Sequence, residues 1–147
     1  MDVRAATRRL VPRIGHSDQA VVLRTDFSDE PCWRAVCEQM IAETDDGFRA
    51  YVEIVEDRAF DGLPTEELFA AVGEDYHYGF LIVADRLTIT DAEHPLLVLD
   101  LFAERGRSFR ALPRTIQSIE NNLSIANMDF AEFADSADED GVLRAFE

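Results

Sequence analysis

The chain has 147 residues, 47% of them apolar including ten Phe, and a formal net charge of -16 from 30 carboxylates against 14 basic residues, all of them Arg. That length and apolar content fit one domain with a real core, and argue against a disordered chain. So acidic a surface repels phosphate backbones, which disfavours nucleic acid and favours a basic partner or cations. No apolar run approaches the ~18 residues of a membrane span.

Residues 1–19 carry Arg4, Arg8, Arg9 and Arg13 against Asp2 and Asp18, and read as a basic, flexible N-terminal arm ahead of a single compact domain, residues 20–147. No apolar stretch of a secretory signal accompanies those arginines. Residues 20–26 (AVVLRTD) predict a strand. Ser28 and Asp29 are N-cap candidates, with Pro31 in the first turn, for a helix ending near Gly47. Its apolar face is Trp33, Val36, Cys37, Met40 and Ile41, at i, i+3, i+4, i+7 and i+8. Cys32 and Cys37, the two cysteines, lie on different faces of that helix, so a reduced, cytoplasmic setting is expected.

Residues 49–57 (RAYVEIVED) alternate, with Ala50, Val52 and Ile54 on one face and Tyr51, Glu53 and Val55 on the other. Pro64 opens a short helix carrying Leu68, Phe69 and Val72, stopped by Gly73. Residues 79–84 (GFLIVA) predict a strand covered on both faces that continues towards Ile89. After a turn at residues 90–95, residues 96–102 return as a strand; a second turn leads into residues 108–112, ended by Pro113. Ile116, Ile119, Leu123 and Ala126 have helical spacing, interrupted by Asn121 and Asn122, which are poor helix formers. Asp129 and Glu132 form a capping box, and Met128 with Phe133 a hydrophobic staple, for a last helix that ends around residues 138–141. Residues 142–146 are a short strand or a tail. The order predicts an α/β fold, with α+β as the alternative: one mixed sheet, parallel in its first half and an antiparallel meander in its second, with helices packed on it.

Asp26, Asp57 (with Glu56) and Asp85 each follow a predicted strand. If those strands are parallel, the carboxylates share the edge where open α/β sheets bind ligands and could hold a divalent cation such as Mg²⁺. Asp is also common at loop starts for turn geometry. Residues 136–147 have the spacing of a calcium loop through Ser136, Asp138, Asp140, Gly141 and Glu147. Ser replaces the first acidic ligand, and a helix stop is the better reading. His16, His77 and His94 are scattered and suggest no zinc site. There is no phosphate-binding glycine loop and no nucleophile elbow, so no cofactor is evident. The N-glycosylation triplet at Asn122 would not be displayed by a cytoplasmic chain. Glu120, Asn121, Asn122, Ser124, Asn127 and Asp129 form a polar set that either bonds nearby backbone or makes a polar ligand or partner surface.

The stretches LRTDFSD at 23–29, FRAYVE at 48–53, His94-Pro95 and ENNLSIANMDF at 120–130 resemble an uncharacterised bacterial domain family of unknown function, over about residues 20–146. The resemblance implies a compact, free-standing cytosolic domain and no particular chemistry. With no assembled catalytic set, the expected function is an acidic binding or regulatory module, inhibitor-like, that covers a basic surface on a protein partner. The alternatives are a small metal-assisted enzyme using Asp26, Asp57 and Asp85, and a structural homo-oligomer subunit.

Overall fold

The structure, a computed structural model, describes residues 11–145. It is a single mixed sheet of six strands in the order β2-β1-β3-β4-β5-β6. The strands are β1 (Ala20–Arg24), β2 (Val52–Val55), β3 (Phe80–Ala84), β4 (Leu96–Asp100), β5 (Ser108–Ala111) and β6 (Val142–Leu143). β1, β2 and β3 are mutually parallel, β4 is antiparallel to both β3 and β5, and β6 is parallel to β5. The expected parallel half and antiparallel half are therefore both present.

Among the described residues five helices accompany the sheet: α1 (Glu30–Ile41), α2 (Thr65–Ala71), α3 (Arg86–Thr90), α4 (Ile116–Ser124) and α5 (Phe130–Asp135). Side chains alternate across each strand, so two cores form. On one face Ala20, Val22, Ile82, Val98 and Phe109 pack with Trp33, Val36 and Met40 of α1, Ile116 and Ile119 of α4, and Phe130 and Phe133 of α5. On the other, Val21, Leu23, Leu81, Val83 and Leu99 are covered by Ile14, Phe60, Leu63, Leu68 and Tyr76. The crossover from β1 to β2 thus runs over one face, and that from β2 back to β3 over the other. Two crossovers of the same hand require this when the second reverses direction along the sheet. Of the segment read as a basic arm, residues 1–10, including Arg4, Arg8 and Arg9, lie outside the described residues. Ile14 is buried and bridges to Val72, and Arg13 pairs with Asp75 at 2.5 Å.

Several boundaries differ from the sequence expectation. The apolar run of β3 does not continue to Ile89: Asp85 caps α3 in a capping box with Thr88 and turns the chain. α1 stops at Ile41, not near Gly47, and the acidic run that follows closes a turn in which Thr44 and Phe48 exchange hydrogen bonds and Gly47 has φ +86°. Carboxylates at a helix C-terminus oppose the macrodipole, which favours the earlier stop. β4 ends at Asp100 because the carboxylate of that buried residue accepts the N–H groups of Phe102, Ala103 and Glu104. The last helix ends at Asp135, six residues before Gly141, and residues 142–143 add to β5. Among the described residues no helix is long and apolar enough to cross a membrane.

Candidate functional site

Because β1, β2 and β3 are parallel, the sheet has an upper rim where they end and a lower rim where they begin. Asp26, Asp57 and Asp85 all follow these strands, so they stand along the upper rim. Each is engaged locally. Asp26 accepts from the N–H of Ser28 at 2.9 Å, and Asp57 from that of Ala59 at 2.9 Å, capping a 3-10 turn, Arg58–Phe60. Asp85 accepts both Nη groups of Arg110, at 2.9 and 2.7 Å, as well as the N–H and hydroxyl of Thr88. Burial pushes the Asp85 carboxyl up, but the guanidinium and Thr88 more than offset it and hold it below the usual range. A cation arriving at this rim would have to compete with that guanidinium. Among the described residues no three His, Cys, Asp or Glu side chains group so as to hold a metal ion.

The upper rim is organised by a residue that the sequence reading passed over. Arg24 ends β1 on the same side as Ala20 and Val22, and its side chain is 3% exposed. Its Nη1 donates to Glu30 at 2.8 Å and Glu56 at 3.3 Å, and its Nε to the Asp26 carbonyl at 3.0 Å. Phe27 lies over the guanidinium at 4.3 Å and Trp33 at 5.2 Å, while Trp33 Nε1 donates to Glu56. The signal was available: an Arg at a core-facing position of an apolar strand needs partners, and Glu30 and Glu56 are acids at the ends of adjoining elements.

In the calcium-like loop a side chain bridges the carboxylates. Arg144 Nη1 binds Asp138 and Nη2 binds Asp140, and the same guanidinium reaches Glu93 across the molecule at 2.8 Å. The guanidinium therefore lies where the loop carboxylates would have met a cation; Glu147, the last residue of that pattern, lies outside the described residues.

The polar set of α4 lies at the opposite end of β2. The buried Glu120 accepts the N–H of Tyr51 at 2.6 Å and the hydroxyl of Ser124 at 2.7 Å. Asn121 donates to the Arg49 carbonyl at 3.0 Å, Asn122 to Ser118, Asn127 to Asn122, and Asp129 caps α5. This set bonds local backbone and ties α4 to the entrance of β2. Tyr51 gives its N–H to Glu120, which marks where β2 begins, three residues later than the expected Arg49. Glu120→Ala should cost about 1–3 kcal/mol by leaving the Tyr51 N–H without its acceptor. Urea unfolding checks this, and an unchanged midpoint would show that the tie is idle.

That tie sets out the lower rim. α1 runs back across the sheet, so its last residue, Ile41, arrives there, and β4, antiparallel to β3, delivers Phe102 there. Phe48 and Tyr51 precede β2, and Ile125 follows α4 one turn beyond Asn121. Five of the six exposed large apolar residues among those described, Ile41, Phe48, Tyr51, Phe102 and Ile125, thus sit at this end; Phe48 and Tyr51 are each 56% exposed and Ile125 74%. Exposed Glu43, Asp45, Asp46 and Glu53 stand among them. Arg49 lies over the Tyr51 ring at 5.6 Å, so the ring already accepts a guanidinium. The alternation over residues 49–57 placed Tyr51 and Glu53 on the face away from Ala50, but not Phe48 and Ile125 beside them. Those come together only through Asn121 and Glu120.

A family model described as a domain of unknown function (DUF6924) matches residues 19–146, and the chain belongs to that family. No curated protein matches it.

Proposed function

We propose that the chain is an acidic binding module, regulatory or inhibitor-like, that engages a protein partner bearing a basic surface through the lower rim beside β2. The observation that carries this reading is the group Phe48, Tyr51, Ile125 and Ile41, exposed at one end of the sheet and set among carboxylates. Exposed aromatic residues supply binding energy, and surrounding carboxylates steer a basic partner and select it. At the upper rim the carboxylates are engaged with Arg24, Arg110 or local backbone, and of those named at the lower rim Glu53 accepts the hydroxyl of Ser17. Self-association through the lower rim would bring like charges together in a chain of net charge -16. The free thiols of Cys32 and Cys37, the latter pushed up to about 11 chiefly by burial, favour a reducing, cytoplasmic setting.

The test is salt-graded capture of partners from a lysate of the source organism, using the wild type and a variant carrying Phe48→Ser, Tyr51→Ser and Ile125→Ser. These side chains are exposed, so the fold should persist, checked by circular dichroism. The expected result is one species retained by the wild type at low salt, weakened by high salt, and held at least tenfold less by the variant. Equal retention by both proteins would overturn the reading.

A further inference from the structure

The lower rim adjoins a second feature, the free edge of β2. β2 is the terminal strand of the sheet, so among the described residues no strand pairs with its outer side. Every second N–H and C=O of such a strand points outward, where an added strand can take them up. Both ends of β2 are fixed: Glu120 and Asn121 hold residues 49–51, and Asp57 caps the turn that follows. The edge is thus presented as a held, extended template. Val52 and Ile54, both half-buried, border the core shared with α1, whereas Glu53, exposed, faces the other side with Val55. Glu56, bound by Arg24 and Trp33, and Asp57, which accepts the Ala59 N–H, follow just beyond.

We infer that β2 docks an extended segment of a basic partner by strand addition, with apolar residues continuing the Val52–Ile54 row and Arg or Lys at alternate positions meeting the Tyr51–Glu53 row. The period of two follows from strand geometry, and the sign of the charge from exposed Glu53 within β2 and from the net charge of -16. A second copy of this chain fits badly, because pairing through this edge would bring together two chains that each carry a net charge of -16. The inference rests on the reading of the lower rim as the binding surface, and names how the partner is held there.

The probe is the capped hexapeptide Arg-Val-Arg-Val-Arg-Val, added to the full-length ¹⁵N-labelled chain. Its control is the same peptide N-methylated at every residue, which keeps the charge and loses the strand donors of both edges. Amide hydrogen exchange over residues 52–55 is the readout. The expected result is about tenfold slower exchange there with the peptide, no slowing with the methylated control, and loss of the effect in Glu53→Arg. Binding of both peptides without slowing at β2 would overturn strand addition yet leave the lower rim as a basic-partner surface. No binding of either peptide would also overturn it. If the lysate partner of the wild type were absent as well, the functional reading would fall too. Slowing that grows with chain concentration alone would identify a second copy as the occupant and overturn the inference.

Discussion

Trp33→Ala should lower the stability of the chain by about 3–5 kcal/mol, the range for truncating a buried aromatic residue. Trp33 is 1% exposed and sits where α1 crosses the sheet, in the core that also holds Val22, Ile82 and Phe133. It has a second task. Its Nε1 donates to Glu56, and its ring lies 5.2 Å from the Arg24 guanidinium, so truncation opens a cavity beside a buried charge. Domains of this kind have about 5–15 kcal/mol in total. With a urea slope of about 2 kcal/mol/M the midpoint should fall by about 2 M, followed by circular dichroism because the variant lacks the single Trp. A fall below about 0.5 M would contradict the packing of α1 on the sheet.

Arg110→Ala should cost about 2 kcal/mol near neutral pH, and the cost should shrink in acid. The pair with Asp85 is about three-quarters buried, at 21% and 27% side-chain exposure, so removing the guanidinium strands a carboxylate that burial alone would push up. In the wild type the Asp85 carboxyl is held low. Its contribution is therefore present above the unfolded value near 4 and is lost as pH falls through the lower folded value. In the variant burial acts unopposed by Arg110, so the penalty is largest near pH 7 and is relieved as the carboxyl takes a proton. Urea unfolding of both proteins at pH 7 and pH 3 should show the gap closing. A gap that is the same at both values would remove Asp85 as its source.

Much of the fold was legible in the order of elements, because periods of 2 and 3.6 in the hydrophobic pattern survive tertiary packing. Trp33, Val36 and Met40 are the buried face of α1, and the Asp129 cap with Glu132 is formed as read. What was not legible turned on single polar side chains with long-range partners. Asp85 converts the end of an apolar run into α3, and Asp100 ends β4, each by capturing backbone N–H groups that a pattern of apolar residues does not register. The sites followed the same rule. Parallel strands did carry Asp26, Asp57 and Asp85 to one rim, but the bonds they make there, above all Arg110 to Asp85 across the sheet, depend on β5 lying where it does. Ile125 and Phe48, 77 positions apart in the chain, share the lower rim only because Asn121 and Glu120 reach residues 49–51.

The lower rim is best tested by contact in the cell. A photo-crosslinking amino acid placed at position 48 should form an adduct with a protein whose contacting peptide is rich in Arg or Lys. The same amino acid at the exposed position 114, away from that rim, should not. Equal adducts from both positions, or adducts from position 114 alone, would contradict the account.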